Sequence, residues 1–345
     1  EHHSAIENGS PPAATMAAFG GDENPASAEM YGDFAGVEMT KKFMVDLCMK
    51  HDGYRTPHVN DKLYLHQQGF RCIEPSVMGL YTGVRSLWLQ QNGLTKIQGL
   101  EKCVEVKTLM LHENCIDELE GLETLVDLDS LNMSKNFLKR VEGLEACKKL
   151  QTLNVGFNNI GPEAFEIEHV LLLPALSTLD VQANGLADGE GVLAIFKQMP
   201  DLRVLYCQGN PFVKELRNYR KRMISEIKTL RYLDDRPVFE DERRRCEAWA
   251  RGFAEGGTLD AANEAERAEI AQIRADKKAA EDKRVRDFEN FIADARAAKA
   301  ADDAAKGLSF SGDRIVDPNR PAGDENADPN GGGATARFDE ATYVD

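Results

Sequence analysis

Through the middle of the chain, apolar and polar positions recur in one fixed phrase: an apolar residue, a variable one, a second apolar residue, two variable ones, then asparagine. Six copies carry the pairs Leu87/Leu89, Leu109/Leu111, Leu131/Met133, Leu153/Val155, Leu179/Val181 and Leu205/Cys207, closed by Asn92, Asn114, Asn136, Asn158, Asn184 and Asn210. An earlier, degenerate copy stands at Leu63/Leu65, with Gln68 in the asparagine place. Measured between first leucines, the steps are 24, 22, 22, 22, 26 and 26 residues. An apolar-variable-apolar triplet has a period of two, so the paired side chains point one way and the residue between them points the other. Each copy therefore predicts one short strand. A unit this small cannot bury its apolar face alone, so the copies are expected to stack in register.

This phrase and spacing are those of the leucine-rich repeat. The expected fold is an α/β solenoid whose parallel sheet lines a concave face. Other apolar positions complete each coil. Val84, Val106, Leu128, Leu150, Leu176 and Leu202 stand three residues before each pair, and Leu94/Ile97/Leu100, Ile116/Leu119/Leu122 and Leu138/Val141/Leu144 follow the asparagines. The asparagine side chains are expected to bond to backbone groups of neighbouring turns, a buried ladder worth about 1–3 kcal/mol per site. Truncating a core leucine is expected to cost about 2–5 kcal/mol.

The flanks divide the remainder. Residues 1–38, rich in Ala, Gly, Pro, Ser and acids, form an arm expected to be disordered. Residues 39–60 predict an N-terminal cap: Thr40 is a candidate N-cap, and Phe43, Leu47 and His51 follow at spacings of four to cover the open end of the repeats at 61–210. Helical insertions are expected at Glu163–Leu173 and Gly189–Met199. Residues 211–252 predict a C-terminal cap, with one helical pattern through Leu216, Tyr219, Met223, Ile224, Ile227 and Leu230, a return at Tyr232–Asp235, and a short helix over 239–250 stopped by Gly252. Gly256 and Gly257 predict a hinge. From 259 to 306 the composition turns to Ala and charged residues, an extended helix with a thin stripe at Val285, Phe288, Ile292 and Ala295. Residues 307–345 are expected to be a disordered tail.

Charge sharpens this division. Of a net charge of −16, residues 1–40 carry seven acids and no Lys or Arg, and residues 251–345 carry 21 acids against 14 bases, leaving −2 for the repeat body. A basic footprint is missing, which argues against nucleic acid and against an anionic membrane surface. The seven cysteines are scattered without a C-x-x-C pair, encoding neither a disulfide framework nor a zinc site and fitting a reducing cytoplasm. The longest apolar stretch, Leu171–Leu176, is broken by Pro174 and far below membrane-spanning length, and no leader-like apolar segment opens the chain, so a soluble, unsecreted protein is expected. The first residue is Glu1 rather than Met, as expected of a piece of a longer chain.

Phosphate-binding, zinc-protease, nucleophile-elbow and EF-hand signatures are absent, so the chain reads as non-enzymatic and calls for no cofactor. His66 and His112, at equivalent outward positions, lack a third metal ligand and read as solvated histidines of a binding face. Asp234 and Asp235 read as backbone-bonding residues of a cap turn rather than an acid/base pair. The positions that core packing does not explain are those between the paired leucines: Tyr64, Trp88, Met110, Asn132, Asn154, Asp180 and Tyr206. Outward aromatics on a concave sheet are favoured anchors, which places a protein-binding patch at Tyr64, Trp88 and Met110, bordered by His66, Gln90, Gln91, His112 and Glu113. The plainer alternative is that Tyr64 and Trp88 pack on each other or under the N-terminal helix. Phe157 is a second candidate contact, and Trp249 reads as the anchor of the helix beyond the cap.

Several segments also carry a family resemblance: MTKKF at 39–43, LYLH at 63–66, LWLQ at 87–90, MPDLRVL at 199–205, GNP at 209–211, NYR at 218–220, YLDDRPVF at 232–239 and EAWARG at 247–252. Over about residues 39–255 the chain resembles the leucine-rich-repeat axonemal dynein assembly factors. The repeats and cap are shared with phosphatase-regulator, splicing and dynein light-chain relatives, whereas the segments at 236–239 and 247–252 are the specific ones. The resemblance implies a cytoplasmic, non-catalytic factor for preassembly of dynein arms needed for ciliary or flagellar motility, with dynein heavy or intermediate chains and chaperone machinery as partners. It supplies no site residue. The alternatives are a resident axonemal or dynein-associated subunit, located in the cilium or flagellum, and a phosphatase regulatory subunit.

Overall fold

A computed structural model describes residues 36–306 and the backbone of 309–311 and 314–316. The disorder expected for the arm and the tail falls, over residues 1–35 and most of 307–345, outside the described residues. Two compact units divide the chain, residues 1–270 and 271–345.

In the first unit the strands are β1 (Lys62–Tyr64), β2 (Ser86–Trp88), β3 (Thr108–Met110), β4 (Ser130–Asn132), β5 (Thr152–Asn154), β6 (Thr178–Asp180), β7 (Val204–Tyr206), β8 (Tyr232–Leu233) and β9 (Arg236–Pro237). They lie side by side in chain order, parallel from β1 to β8, with β9 returning antiparallel. The register follows the repeated leucines, Leu63, Leu87, Leu109, Leu131, Leu153, Leu179, Leu205 and Leu233, each opposite the next. A one-residue slip would turn every one of them to the other face, so the pattern enforces the pairing. All are buried, as are the second members of the pairs and the row from Val84 to Leu202.

The six asparagines make the expected ladder. Asn136 is representative: its Nδ2 donates to the carbonyls of Leu111 (3.0 Å) and Met133 (2.9 Å), and its Oδ1 accepts from the Ile116 N–H (3.1 Å). One amide thus ties two consecutive coils at three backbone points. Gln68 does not substitute for it, because its Nε2 turns back to the His66 carbonyl. The residue before each asparagine, and before Gln68, takes a left-handed conformation: Gln67, Gln91, Glu113, Lys135, Phe157 and Ala183 have φ between 49° and 58°, and Gly209 has φ 82°. Such a conformation costs about 1–2 kcal/mol for a residue with Cβ. It lets the chain leave the strand while its N–H still reaches the next coil, as Gln91 N–H does to the His112 carbonyl at 3.0 Å. Where coils approach most closely only glycine fits. A Cβ at Gly143 (φ 72°) would lie 2.0 Å from the Leu119 carbonyl oxygen.

Helix α1 (Lys41–Lys50) closes the first coil, with Thr40 Oγ1 accepting from Phe43 N–H and Met44, Leu47 and Cys48 buried. Phe43 meets Phe70 edge-on at 5.7 Å. His51 is not on this buried face. It is the C-terminal cap residue and is exposed, because the inward positions step through Met44 and Cys48 rather than one further turn on. Buried Asn60 orders the following loop through Tyr54, Thr56 and Pro57 carbonyls. A short helix α2 (Pro75–Met78) follows β1. The first long insertion is a 3-10 segment, Ala164–Leu172, and the second is helix α3 (Gly189–Gln198), capped by Asp188.

The C-terminal cap differs from the single helix expected. It is split into α4 (Pro211–Glu215) and α5 (Tyr219–Glu226) at Asn218, which takes φ 56°. Asparagine tolerates that conformation better than most residues. Helix α6 (Glu240–Gly256) runs straight through Gly252 instead of stopping there. A Cβ at Gly252 would lie 2.6 Å from that of Ala265, so this glycine admits the start of α7 (Leu259–Ala305). Gly257, at φ 65°, ends α6.

In the second unit α7 continues to Ala305, with Val285, Phe288 and Phe291 exposed. Within the tail expected to be disordered, β10 (Ser309–Ser311) and β11 (Arg314–Val316) pair antiparallel. The sequence signal is the Gly312-Asp313 step between them, a pair suited to a two-residue hairpin turn.

Candidate protein-binding site

The residues between the paired leucines all leave the core, as the alternation demands, but they do not share one fate. On β1, β2 and β3 they form a continuous apolar strip. The rings of Tyr64 and Trp88 stack at 4.5 Å and 13°, close to the spacing of adjacent strands, and Met110 follows on the next strand. His51 closes the strip at the α1 end, its ring 5.4 Å from Tyr64 and 6.2 Å from His66. The two readings of Tyr64 and Trp88 are therefore both partly realised. They pack on each other, yet each remains half-exposed on the outer face.

Two residues further along each strand run His66, Gln90 and His112. His66 Nδ1, Gln90 Oε1 and His112 Nδ1 are shielded from solvent and have no hydrogen-bond partner among the described residues. Leaving such a group unpaired costs about 1–3 kcal/mol. Three fall in one row beside the aromatic strip. Burial holds the His112 imidazole below its usual value, more strongly than neighbouring Glu113 raises it. The next row is satisfied: Gln67 donates to Gln91, Gln91 to Glu113, and Lys135 Nζ pairs with Glu113 at 2.7 Å. The Lys135 hydrogen bond holds the Glu113 carboxyl below the usual range.

On β4 to β6 the outward residues turn to their own backbone. Asn132 Oδ1 accepts from Ser134 N–H (3.0 Å) and Oγ, and Asn154 Oδ1 accepts from Gly156 N–H (3.0 Å). Asp180 accepts from Gln182 N–H and Nε2, both at 3.0 Å, and is buried, which raises its carboxyl above the usual range. Tyr206 lies tilted against Tyr232 at 5.8 Å, and burial raises its phenol. Of the ten positions read from the sequence, six (Tyr64, His66, Trp88, Gln90, Met110 and His112) thus gather into one patch. Asn132, Asn154 and Asp180 continue the face with their polar groups already engaged, and Tyr206 continues it with its ring against Tyr232. Sequence reasoning missed His51, for which the only signal was its place at the end of the cap helix.

Asp234 closes the sheet. In each coil the N–H of the second core residue donates to the next strand, as Val181 does to the Tyr206 carbonyl, and at the last position Cys207 N–H donates instead to Asp234 Oδ1 (2.8 Å). Its Oδ2 accepts from the Tyr219 hydroxyl, so just past the two-residue β8 its side chain supplies the acceptor that a third strand residue's carbonyl gives elsewhere, rather than pairing with exposed Asp235. Burial pushes the Cys103, Cys147 and Cys246 thiols up to about 11, keeping them protonated. Among the described residues no cluster of three or more His, Cys, Asp or Glu side chains is placed to hold a metal, and no helix is long and apolar enough to cross a membrane.

A leucine-rich-repeat family model matches residues 124–257. The protein "Leucine-rich repeat-containing protein ODA7" of Chlamydomonas reinhardtii is 52% identical over 221 residues, covering 63% of this chain and 50% of that one. Rat "Dynein axonemal assembly factor 1" is 54% identical over 220 residues, covering 64% of this chain and 34% of that one. Over the repeat body and its cap the chain is similar to the dynein axonemal assembly factor 1 proteins. A Drosophila melanogaster homologue of that factor is 47% identical over 219 residues, 63% of this chain and 15% of its own. The chain thus spans half or less of the length of these assembly-factor relatives.

Proposed function

We propose that this chain is a non-enzymatic scaffold that holds axonemal dynein subunits, heavy or intermediate chains, while dynein arms are preassembled in the cytoplasm in company with chaperones. The names of the relatives at about half identity support the dynein connection. The observation that carries the binding mode is the pairing of an aromatic stack with a row of unpartnered polar atoms on three successive strands. An apolar side chain of the partner covers Trp88 and Met110, and its polar groups bond to the row of His66, Gln90 and His112. Because the strands are locked by the ladder, little ordering entropy is lost on binding. Desolvated aromatic anchors of this kind carry about 2 kcal/mol or more each.

Capture of dynein heavy and intermediate chains from cytoplasmic extract tests the reading. The Trp88→Ala/Met110→Ala variant should retain its circular dichroism and lose most capture. Undiminished capture by the folded variant would remove the patch. Stoichiometric sedimentation with salt-washed axonemes would instead favour a resident subunit, and selective retention of a phosphatase catalytic subunit would favour a regulator of that enzyme.

A further inference from the structure

Away from the concave face, α3, α5, α6 and the first residue of α7 enclose a groove of about 550 Å³. Its floor is Trp249, only 5% exposed. Lys221 Nζ lies 5.5 Å from the Trp249 ring centre, and Phe253 runs parallel to that ring at 5.9 Å. The Trp249 indole N–H has no hydrogen-bond partner among the described residues. A buried tryptophan ordinarily finds one, and stability alone gives no reason to leave this donor empty. The apolar surface continues out of the groove through Phe253 and Leu259, 45% and 47% exposed. Charges on the wall are otherwise spoken for: Arg222 pairs with Glu190, and Glu226 with Lys197. Arg217, on the lip, is exposed and has no ion pair among the described residues.

We propose that this groove docks a short acidic segment of a partner polypeptide, distinct from whatever the concave face holds. An indole N–H only donates, so the ligand must bring an acceptor, which a main-chain carbonyl supplies. The parallel Trp249 and Phe253 rings call for a bulky apolar side chain above them. Exposed Phe253 and Leu259 extend the apolar surface beyond the groove itself, which favours a run of residues over a compact small molecule. The unpaired guanidinium of Arg217 suits an Asp or Glu carboxylate in bidentate contact. The segment expected therefore has one large apolar residue with an acidic neighbour.

The test uses the full chain carrying Trp88→Phe. With two tryptophans in the sequence, this leaves Trp249 as the sole indole reporter, and counter-selection at Phe253 confines the readout to the groove, so failure of one site cannot be mistaken for failure of the other. A display library of random decapeptides is selected on this protein and counter-selected on its Phe253→Arg derivative. The account predicts enriched peptides combining Phe, Leu or Trp with Asp or Glu, and a shift of Trp249 emission on binding. It also predicts weakening of about tenfold for Arg217→Glu and more for Leu259→Arg, each about 1.4 kcal/mol per tenfold. Trp249→Phe removes buried volume and should lower the melting temperature, so its several-fold weakening of the peptides is read well below that temperature, where the variant remains folded by circular dichroism. Absence of groove-dependent peptides, enrichment of basic ones, an emission response to fatty acid or detergent alone, or self-association abolished by Phe253→Arg would each overturn the proposal.

Discussion

On β1 to β3 the outward residues are large and apolar, and the polar atoms beside them lack partners; on β4 to β6 the equivalent residues are Asn132, Asn154 and Asp180, each bonded to the backbone or side chain two residues on. The backbone, register and ladder are the same in both halves. Position in the repeat therefore decides that a side chain leaves the core, and chemistry decides whether it then serves the fold or remains available. Local Asx-type bonds stiffen the second half without help. In the first half His66, Gln90 and His112 each keep one polar atom without a partner among the described residues.

The comparison rests on a common scaffold, so breaking the scaffold should produce the largest effect. Asn136→Ala orphans the Ile116 N–H and removes donors from two buried carbonyls, and should lower unfolding free energy by about 3 kcal/mol in urea titration. Next comes Trp88→Ala with Met110→Ala, which should weaken dynein capture about thirtyfold, about 2 kcal/mol, while stability falls by no more than about 1.5 kcal/mol through loss of the Tyr64 stack. Asn132→Ala should show the inverse profile, with stability reduced by about 1 kcal/mol and capture nearly unchanged.

Titration separates the halves by sign. The His112 imidazole is held below its ordinary value, so below about pH 6.5 the unfolded chain takes the proton more readily, and stability is lost as pH falls through the folded value. The Asp180 carboxyl is raised, so its contribution is full below the ordinary value of 3.8 and is lost as pH rises through the folded value. His112→Gln should flatten the first slope and Asp180→Asn the second, each read from urea midpoints across the relevant pH range. Smallest of all, Lys135→Ala opens an exposed pair with Glu113 and should change stability by about 0.5 kcal/mol or less.

Much of this was legible in the sequence because the repeat imposes two constraints at once. The period of two fixes which side chains enter the core, and the stacking of like upon like fixes register, so Leu63 through Leu205 and the six asparagines fall where expected. The outward set from Tyr64 to Tyr206 follows from the same alternation. What alternation does not encode is how a polar side chain uses its own neighbourhood. That is why the inward bonds of Asn132, Asn154 and Asp180, and the capture of Cys207 N–H by Asp234, come only with coordinates. Glycine was ambiguous for a similar reason. Gly252 reads as a helix stop along the chain, but across it Ala261 and Ala265 of α7 occupy the room its missing Cβ leaves. His51 looked like a third inward position of α1 and instead flanks Tyr64.

The central claim is that the β1 to β3 face contacts dynein polypeptides before they reach the axoneme. A photoreactive benzoylphenylalanine placed at Met110, with a matched probe at Phe165 on the first insertion, would report this directly in the cytoplasm of cells regrowing flagella. The account predicts covalent adducts with dynein heavy or intermediate chains from position 110 and not from position 165. Adducts of equal yield from both positions, or dynein adducts confined to position 165, would contradict it.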